Sequence, residues 1–595
     1  MPAIKIMGFD GLVPRMSATM LSDNQAQVAN NVKLYSRELR FWRGPKVQTD
    51  TLAPSTRSIY RYFASAPDPY WLSWASDGVD VVISPITDTT DYRLYYTGDG
   101  EPKKTNETLV STGAGAYPRG WLYMGVPAPT AAPTLTLTGG SGVPEDRAYV
   151  YTNVSTFGSL IEESAPSPPA SISVLPGGTV TVAGFSAAPT TGYNITARRI
   201  YRSVAGATAD SYQFVTEIPV ATVSFDDTLS VAQLGEVLGT IGWLPPPSDL
   251  LGLVALPSGA LAGFVGNTVY FSEPYSPHAW PLRYALNIPS RIIGLGVFST
   301  SIAVMTDRYP YIINGAIPGA MSVERVPALE PCVSRKSIVP MQSGVMYASP
   351  NGLMQIGPGS IGIQTNALFR RDEWQERAPA SIAAVSYDNK YFALYPVTMG
   401  NAPSFILSND DIPALSEIDI RANAIHVDNR NGYLYFVSPE NFLYQLDSDD
   451  LNPLVYTWHS KRFVLPQATT FSALKLDGDF NQADLTDAYN ALVDAIRAEN
   501  QAMFSTGLDG ALNTTALNTY DVNGSKLKNI PPMASARTAT VLIYGDEDLQ
   551  AALEVSAFDP VRIPPFKTRT VEISITGNLS VRSVAVATTV QELHQ

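Results

Sequence analysis

Between residues 57 and 126 apolar and polar side chains alternate with a period of two. The stretch SIYRYFASAPDPYWLSWASDGVDVVIS turns at Pro67-Asp68-Pro69 and at Asp77-Gly78, and DYRLYYTGDG adds a further strand with a Gly-Asp-Gly exit. Successive side chains of an extended chain point to opposite faces, so this period predicts strands, and the Pro, Gly and Asp clusters predict the turns between them. GALAGFVGNTVYFSEPYSPHAWP, Gly259 to Pro281, repeats the pattern: Leu261 to Val265 is apolar, Gly266-Asn267 can take positive φ, and Thr268 to Phe271 is β-branched or aromatic. SIAVMTDRYPYIING, GVMYASPNGLMQIGPG, KYFALYP and GYLYFVSPENFLYQLD follow. Their first strands begin near Leu261, Ile302, Val345, Tyr391 and Tyr433, roughly 41 to 46 residues apart, which matches the approximate 40 to 50 of propeller blades. One such unit alone leaves an apolar face open, and packing units around an axis buries those faces and limits exposed strand edges. The expected fold is therefore mainly β, with propeller-like repeated antiparallel blades at 57–126 and 248–460 and the blade count left open.

Two Pro-rich borders, VPAPTAAPTLTL and WLPPPSDL, enclose residues 127–247. Inside them RAYVYTNVST, SISVLPGGTVTVAG, ARRIYRSVAG and SYQFVTEI alternate in the same way, enough for an inserted sandwich resembling a fibronectin type III module, an interaction or spacer domain. Residues 461–595 read as a C-terminal β-sandwich domain, interrupted at about 480–532. Ala483 to Phe504 has helical periodicity, with Leu485, Ala488, Leu492, Ala495 and Ile496 on one stripe, and Ser505 to Pro532 has none. A long excursion of this kind within a β context is usually functional.

The composition narrows the chemistry. A chain of 595 residues exceeds one core, and a formal net charge of −14 argues against a general nucleic-acid binder, since affinity for phosphates comes from Lys and Arg. It leaves room for DNA passing nearby, repelled over about 10 Å at ordinary salt. The single cysteine, Cys332, makes no intrachain disulfide and reads as a small buried hydrophobe. The N-terminus lacks a basic segment followed by a sustained apolar run, and no stretch approaches the roughly 20 apolar residues of a membrane span, so the expected site of synthesis and assembly is a cytoplasm.

No catalytic constellation stands out. The four histidines are His278, His426, His459 and His594, without an H-x-x-x-H pair, and neither a G-x-S-x-G elbow nor a phosphate-binding G-x-x-x-x-G-K-[ST] loop is present. Neither metal nor cofactor is expected. A propeller can carry paired carboxylates for glycan hydrolysis, and the candidates are Asp77 with Asp80, Glu162 with Glu163, Asp226 with Asp227, Asp410 with Asp411, and Asp449 with Asp450. All sit at expected turns, where Asp bonds its own backbone. In FSEPYSPHAWP three prolines remove backbone donors, so Glu273 and His278 are expected to brace the loop by hydrogen bonds and Trp280 to anchor it in a core.

The run GFDGLVPRMSATMLSDNQAQVANNVKLYSRELRFWRGP resembles the opening of the tail tubular protein B, or tail nozzle, family of short-tailed bacteriophages. The matching positions are Gly8, Gly11, Pro14, Arg15, Leu21, Asp23, Asn24, Gln27, Val28, Asn30, Leu39, Arg40, Arg43 and Pro45. The resemblance continues through GLVALPSGALAGFVGNTVYFSEPYSPHAWP, EPCVSRKSIVPMQSGVMYASPNGL, LFRRDEWQERAPASI and VRSVAVATTVQEL, covering most of the chain outside the inserted sandwich and the helical excursion. It implies a structural, non-enzymatic virion protein: a homohexameric ring beneath the portal and adaptor, forming the distal tube that retains the genome and conducts it during ejection. The implied partners are the chain itself, the adaptor or head-to-tail connector, tail fibres or spikes, transiting double-stranded DNA without specific binding, and the host outer surface. Residues 1–56 then read as an assembly segment in which Asp23 caps a short helix carrying Gln27 and Asn30 at a subunit joint, with Arg15, Asn24, Arg40 and Arg43 beside them. The candidate gate across the lumen is Leu485, Leu492, Ile496, Phe504 and Leu508. A propeller-type glycan depolymerase and a receptor-binding tail protein, with the inserted sandwich as adhesin, are the alternatives.

Overall fold

The structure, a computed structural model, describes residues 4–48, 52–63, 69–86, 91–204, 211–358, 360–396, 403–408, 414–481, 483–505, 528–530 and 537–593. Among them, seven antiparallel units follow one another around a common axis. The first comprises Ser58–Tyr62 and Tyr70–Trp74, and the second Asp80–Ile83, Leu94–Thr97, Lys103–Thr105 and Leu122–Tyr123. Three four-stranded blades run from Leu251–Ala255 to Leu286–Asn287, from Ile292–Phe298 to Ser322–Arg325, and from Val339–Met341 to Ser360–Ile363. The sixth blade holds Ala383–Tyr387, Lys390–Leu394, Ser404–Ser408 and Leu415–Ile418, and the seventh Ala424–Asp428, Tyr433–Val437 and Leu443–Asp449. The region 57–126, expected as one unit, is two. Asp77-Gly78 closes no hairpin, because Tyr70–Trp74 pairs back on Ser58–Tyr62 while Asp80–Ile83 pairs forward on Leu94–Thr97.

The period-two pattern explains why the blades form a ring. Along Ser301–Thr306, Ile302 and Val304 meet Phe264 and Phe271 of the third blade, while Ala303 and Met305 meet Val345 and Tyr347 of the fifth. Along Lys390–Leu394, Tyr391 and Ala393 join Met346 and Leu353 of the fifth blade, whereas Phe392 and Leu394 join Leu434 and Phe436 of the seventh. The circle then continues through Tyr435 and Val437 with Ile59 and Trp71, through Leu72 and Trp74 with Leu94 and Tyr96, and through Val82 and Tyr95 with Leu253 and Leu261. Every boundary between neighbouring blades is thus an apolar cluster. Central strands such as Gly344–Ser349 and Gly352–Gly357 are buried along their whole length because both faces are covered. Each fully buried large apolar side chain there contributes about 1.5–3 kcal/mol.

Residues 1–56 are not a separate segment. Ile4–Met7 pairs with Ser580–Ala587, and Gly44–Val47 supplies the fourth strand of the seventh blade through Val47↔Tyr444 and Lys46↔Gln445. Between them Ala26–Asn30 pairs with Tyr456–Ser460 on one side and, at Asn30↔Glu417, with the sixth blade on the other. The expected short helix carrying Gln27 and Asn30 is therefore a strand. Five residues form too little helix to hold by themselves, and strand pairing on both sides satisfies their backbone donors and acceptors.

The C-terminal domain begins at Tyr456 and forms one sheet with the sixth blade. In that 12-stranded sheet the order is Ile4–Met7, Ser580–Ala587, Phe463–Asp479, Val561–Gly577, Tyr456–Ser460, Ala26–Asn30 and then the sixth blade, with the hairpin Ala539–Gly545/Asp548–Val555 attached to Val561–Gly577. Phe9, Trp458, Phe471, Val541, Ile573 and Val584 lie at its core. The insertion is a two-sheet sandwich of three and five strands around Tyr149, Tyr151, Val180, Val182 and Ile200. It is fixed to the second blade by charge as well as apolar area. Lys104 of that blade and Glu162 of the sandwich form a fully buried ion pair, and beside it Arg93 pairs with Asp91 at 2.9 Å. Gly158, at φ +59°, presses so close that a Cβ there would lie 1.8 Å from Asp91 Oδ2.

Two substitutions test this frame. Trp42 is fully buried beside the closing strand, edge-on to Phe392 at 5.7 Å, so Trp42→Ala should cost about 3–5 kcal/mol, read as a lowered urea midpoint of the propeller transition. Lys104→Met should cost about 3–5 kcal/mol by leaving Glu162 buried without its cation, and Lys104→Met with Glu162→Leu should recover most of that loss in the same measurement.

Candidate functional site at the domain joints and the propeller axis

The residues that carry the N-terminal resemblance are spread over three joints within the chain. Arg15 Nη1 donates to the Asn366 carbonyl at 2.6 Å and its backbone N–H to Leu368 at 2.9 Å, laying the N-terminal loop on the connection between the fifth and sixth blades. The Asn24 carbonyl accepts from the Asp10 N–H at 2.7 Å, and exposed Asp23, which caps no helix, lies 3.1 Å from Lys461 Nζ. Gln27 Nε2 donates to the Ser460 carbonyl at 2.7 Å and to Glu572 Oε2 at 2.9 Å, while Asn30 Nδ2 donates to Asp419 Oδ2 at 2.7 Å. The two amides tie propeller to C-terminal domain within one chain, where a joint between subunits was expected. Arg40 clasps its neighbour Glu38 at 2.8 Å, and Arg43 reaches the seventh blade through Asp447 and, at 3.0 Å, Asp450.

Sequence reasoning missed two members of these joints. Asn31 is buried and exchanges hydrogen bonds with Asp419, donating from Nδ2 at 3.0 Å and accepting from the Asp419 N–H at 2.9 Å. The Asn30-Asn31 doublet was the available signal. Glu572 is buried and accepts from Gln27, from His459 Nε2 at 2.9 Å and from Arg462 Nε at 2.6 Å. Burial pushes its carboxyl up, but these hydrogen bonds and the Arg462 charge outweigh that and hold it below the ordinary 4.5.

In the loop after the third blade's hairpin, the Arg283 guanidinium and, at 3.2 Å, the Tyr284 hydroxyl hold the Glu273 carboxylate. Trp280 is buried and donates from Nε1 to the Pro277 carbonyl at 2.8 Å. His278 is buried edge-on to Trp243 at 5.5 Å, with Nδ1 4.0 Å from Glu162 Oε1, so this loop also touches the insertion. Burial pushes the imidazole down, against the pull of Glu162.

The helix Ala483–Ser505 buries Leu485, Val493 and Ile496, with Leu492 half-buried and Ala495 exposed, so the covered stripe is rotated away from Ala495. Its far end is held by Asn500, which donates to the Lys528 carbonyl at 3.0 Å and accepts from the Lys528 N–H at 2.9 Å. Leu508 and the side chain of Phe504 lie outside the described residues, as do Asp410 and Asp411.

The remaining carboxylate pairs are engaged separately. Glu162 faces Lys104, whereas Glu163 takes Arg199 at 2.8 Å and the hydroxyls of Thr152 and Tyr201 at 2.7 Å. Asp227 is buried with Arg202 at 2.5 Å, and Asp226 accepts from Thr181 at 2.6 Å. Asp449 Oδ1 accepts from the Leu451 N–H at 3.0 Å, as a turn Asp does. Asp77 and Asp80 differ, because they open onto the propeller axis.

There the innermost strands of the first, second, sixth and seventh blades begin, and their first residues, with the turn that precedes the fifth, line a cavity of about 690 Å³. The 3₁₀ turn Arg335–Ser337, from the stretch EPCVSRKS, projects two cations into it. The Arg335 guanidinium pairs with Asp80, whose carboxyl is pushed up by burial against the pull of Arg335 and a hydrogen bond from the Gly252 N–H. Lys336 Nζ lies 3.4 Å from the Arg57 carbonyl and 3.9 Å from Asp77, and Arg57 Nη1 donates to Asn423 Oδ1 at 3.1 Å. Ile59, Ile338, Ile382 and Val385 form apolar wall. Cys332, just before the turn, is buried, and burial pushes its thiol up to about 12, which leaves it inert.

No protein-family model and no curated protein matches the chain. Among solved structures, BamB from Moraxella catarrhalis is similar at 9% identity and a TM-score of 0.22, over 53% of this chain and 98% of that one. The AfRom2 CNH domain is similar at 9% identity and a TM-score of 0.24, over 57% and 94%. Neither likeness bears on what the chain does. Among the described residues no group of three or more His, Cys, Asp or Glu could hold a metal ion, and no helix is long and apolar enough to cross a membrane.

The depressed carboxyl at the central joint has a measurable consequence. A group held below its ordinary value stabilises the fold above that value and loses this contribution as pH falls through its folded value. The stability difference between wild type and Glu572→Gln should therefore be largest at neutral pH and shrink below the ordinary 4.5, measured as urea midpoints across that range.

Proposed function

We propose that this chain is the tail nozzle of a short-tailed bacteriophage, a structural virion protein whose six copies form the distal tube that retains DNA and conducts it during ejection. The observation that carries the reading is the N-terminal run from Gly8 to Pro45, which resembles that family and whose residues bind propeller and C-terminal sheet into one continuous subunit. A fused subunit of this kind suits a ring that transmits load, because neighbouring copies then meet through surfaces held in fixed relation. Closed rotational symmetry suits the heterologous contacts such a ring needs.

The conduit runs between copies rather than through a propeller. An axial cavity of about 690 Å³ is far too small for duplex DNA, so the bore is bounded by the faces that six subunits turn toward a shared axis. The net charge of −14 keeps a passing polyanion from adhering. The helix Ala483–Ser505 and the excursion after it act as the gate across that bore. The adaptor above, fibres or spikes beside, and the host surface below are the remaining partners, with the inserted sandwich facing outward.

Electron microscopy of the purified chain and of the virion tests the assembly: six-fold rings are expected, and a solitary monomer within the particle overturns the reading. For the gate, deletion of Leu485 to Asn529 should produce particles that lose DNA before infection, measured as nuclease-accessible DNA; unchanged retention removes that role.

A further inference from the structure

The axial cavity holds more positive charge than its own carboxylates neutralise. Three cationic side chains face it, Arg57, Arg335 and Lys336, against two carboxylates, Asp77 and Asp80. Arg335 and Asp80 are paired directly. What remains is Lys336, whose nearest carboxylate, that of the largely exposed Asp77, is 3.9 Å away, and Arg57, whose guanidinium donates to the neutral amide of Asn423. No other carboxylate among the described residues lines the cavity. Burial pushes the Lys336 ammonium down, and Arg57 and Arg335 add to that effect while Asp77 opposes it, as expected where like charges crowd in a partly enclosed space. Such crowding is costly without a counter-charge.

Other polar groups converge on the same space, and its walls are apolar at Ile59, Ile338, Ile382 and Val385. Concave sites of about 300–1,000 Å³ with apolar walls and a few converging polar groups are the usual form of small-molecule pockets. We propose that the propeller axis binds a small organic oxyanion, its carboxylate or phosphate oxygens held by Lys336 and Arg57 and its carbon skeleton against the isoleucine wall. Arg57 can offer parallel N–H donors and Lys336 a point charge, the combination that recognises such oxygens. Asp77, at the rim, competes with the ligand for Lys336. This site is independent of whether six copies form a tube.

Thermal unfolding of the full chain, followed by intrinsic fluorescence at constant ionic strength, tests the site with inorganic phosphate, citrate and glucuronate as separate probes. A saturable rise in midpoint is expected with at least one. A response to phosphate alone identifies a phosphate-bearing ligand, and a response to citrate or glucuronate alone a carboxylate. Lys336→Met and Arg57→Gln should each weaken the responding probe by about tenfold or more, the loss expected for a charge-assisted contact. Asp77→Asn should tighten it, a gain that a purely structural role for these residues does not produce, and this variant keeps the test decisive if either cation variant fails to fold. No saturable response to any probe, or a response unchanged in all three variants, overturns the proposal.

Discussion

Burial of both faces of every blade is the constraint on which the rest of the molecule depends. A four-stranded sheet whose two faces are both apolar is unstable alone, and here each face is covered by a neighbour. Removing one blade would expose two clusters. The arrangement is therefore stable only when it closes, and closure falls to the boundary where the end of the repeat meets its beginning, at Tyr435 and Val437 against Ile59 and Trp71. Hydrophobic burial has no direction, so it drives the blades together without fixing the register of that last boundary. Backbone pairing fixes it, because Gly44–Val47, ten residues before the first blade, hydrogen-bonds as the outer strand of the seventh.

The same N-terminal chain carries the second junction. Having paired with the C-terminal domain at Ile4–Met7, it inserts Ala26–Asn30 between that domain and the sixth blade, so a sheet of the propeller runs without interruption into the C-terminal sheet. A continuous sheet bends less freely than two domains joined by a linker, since relative motion would break ladder hydrogen bonds. The side chains at this seam add direction to the pairing: Asn31 and Asp419 exchange hydrogen bonds, and Glu572 gathers three donors, one from Ala26–Asn30, one from Tyr456–Ser460 and one, Arg462, from the connection after it. Buried polar groups so completely partnered specify one arrangement, where apolar contacts would tolerate several.

What could be read from the sequence divides along the same line. Local alternation is written residue by residue, so the blades from Leu261 onward, the two-sheet insertion and the helix Ala483–Ser505 were all legible. Pairing between residues hundreds of positions apart leaves no local trace. AQVAN is too short to choose between helix and strand by itself, and its partners lie near residues 417 and 457–460. Asp77-Gly78 reads as a hairpin turn by composition, yet the strands on either side belong to different blades. The axial site was hidden for the same reason: Asp77 and Asp80 looked like turn residues, and the cations opposite them come from Arg57 and from Arg335 and Lys336 in EPCVSRKS, brought together only by ring closure.

Closure also decides where large and small things can pass. Seven blades packed face to face leave an axial space lined by residues of five of them, at or just before the starts of the inner strands, and that space suits a small ligand. Widening it would require separating the apolar clusters that hold the ring, a cost multiplied over every boundary. A polymer as broad as duplex DNA therefore has no route through a single subunit, and any bore for it must arise where subunits meet. The two kinds of space place opposite demands on charge. A bore for DNA is best lined by groups that do not hold phosphate, which the overall excess of acidic residues favours, whereas the narrow axis gathers cations that its own carboxylates only partly neutralise. In this chain those demands fall in different places, since the axial cations line the cavity of a single propeller, whereas the proposed bore lies between copies.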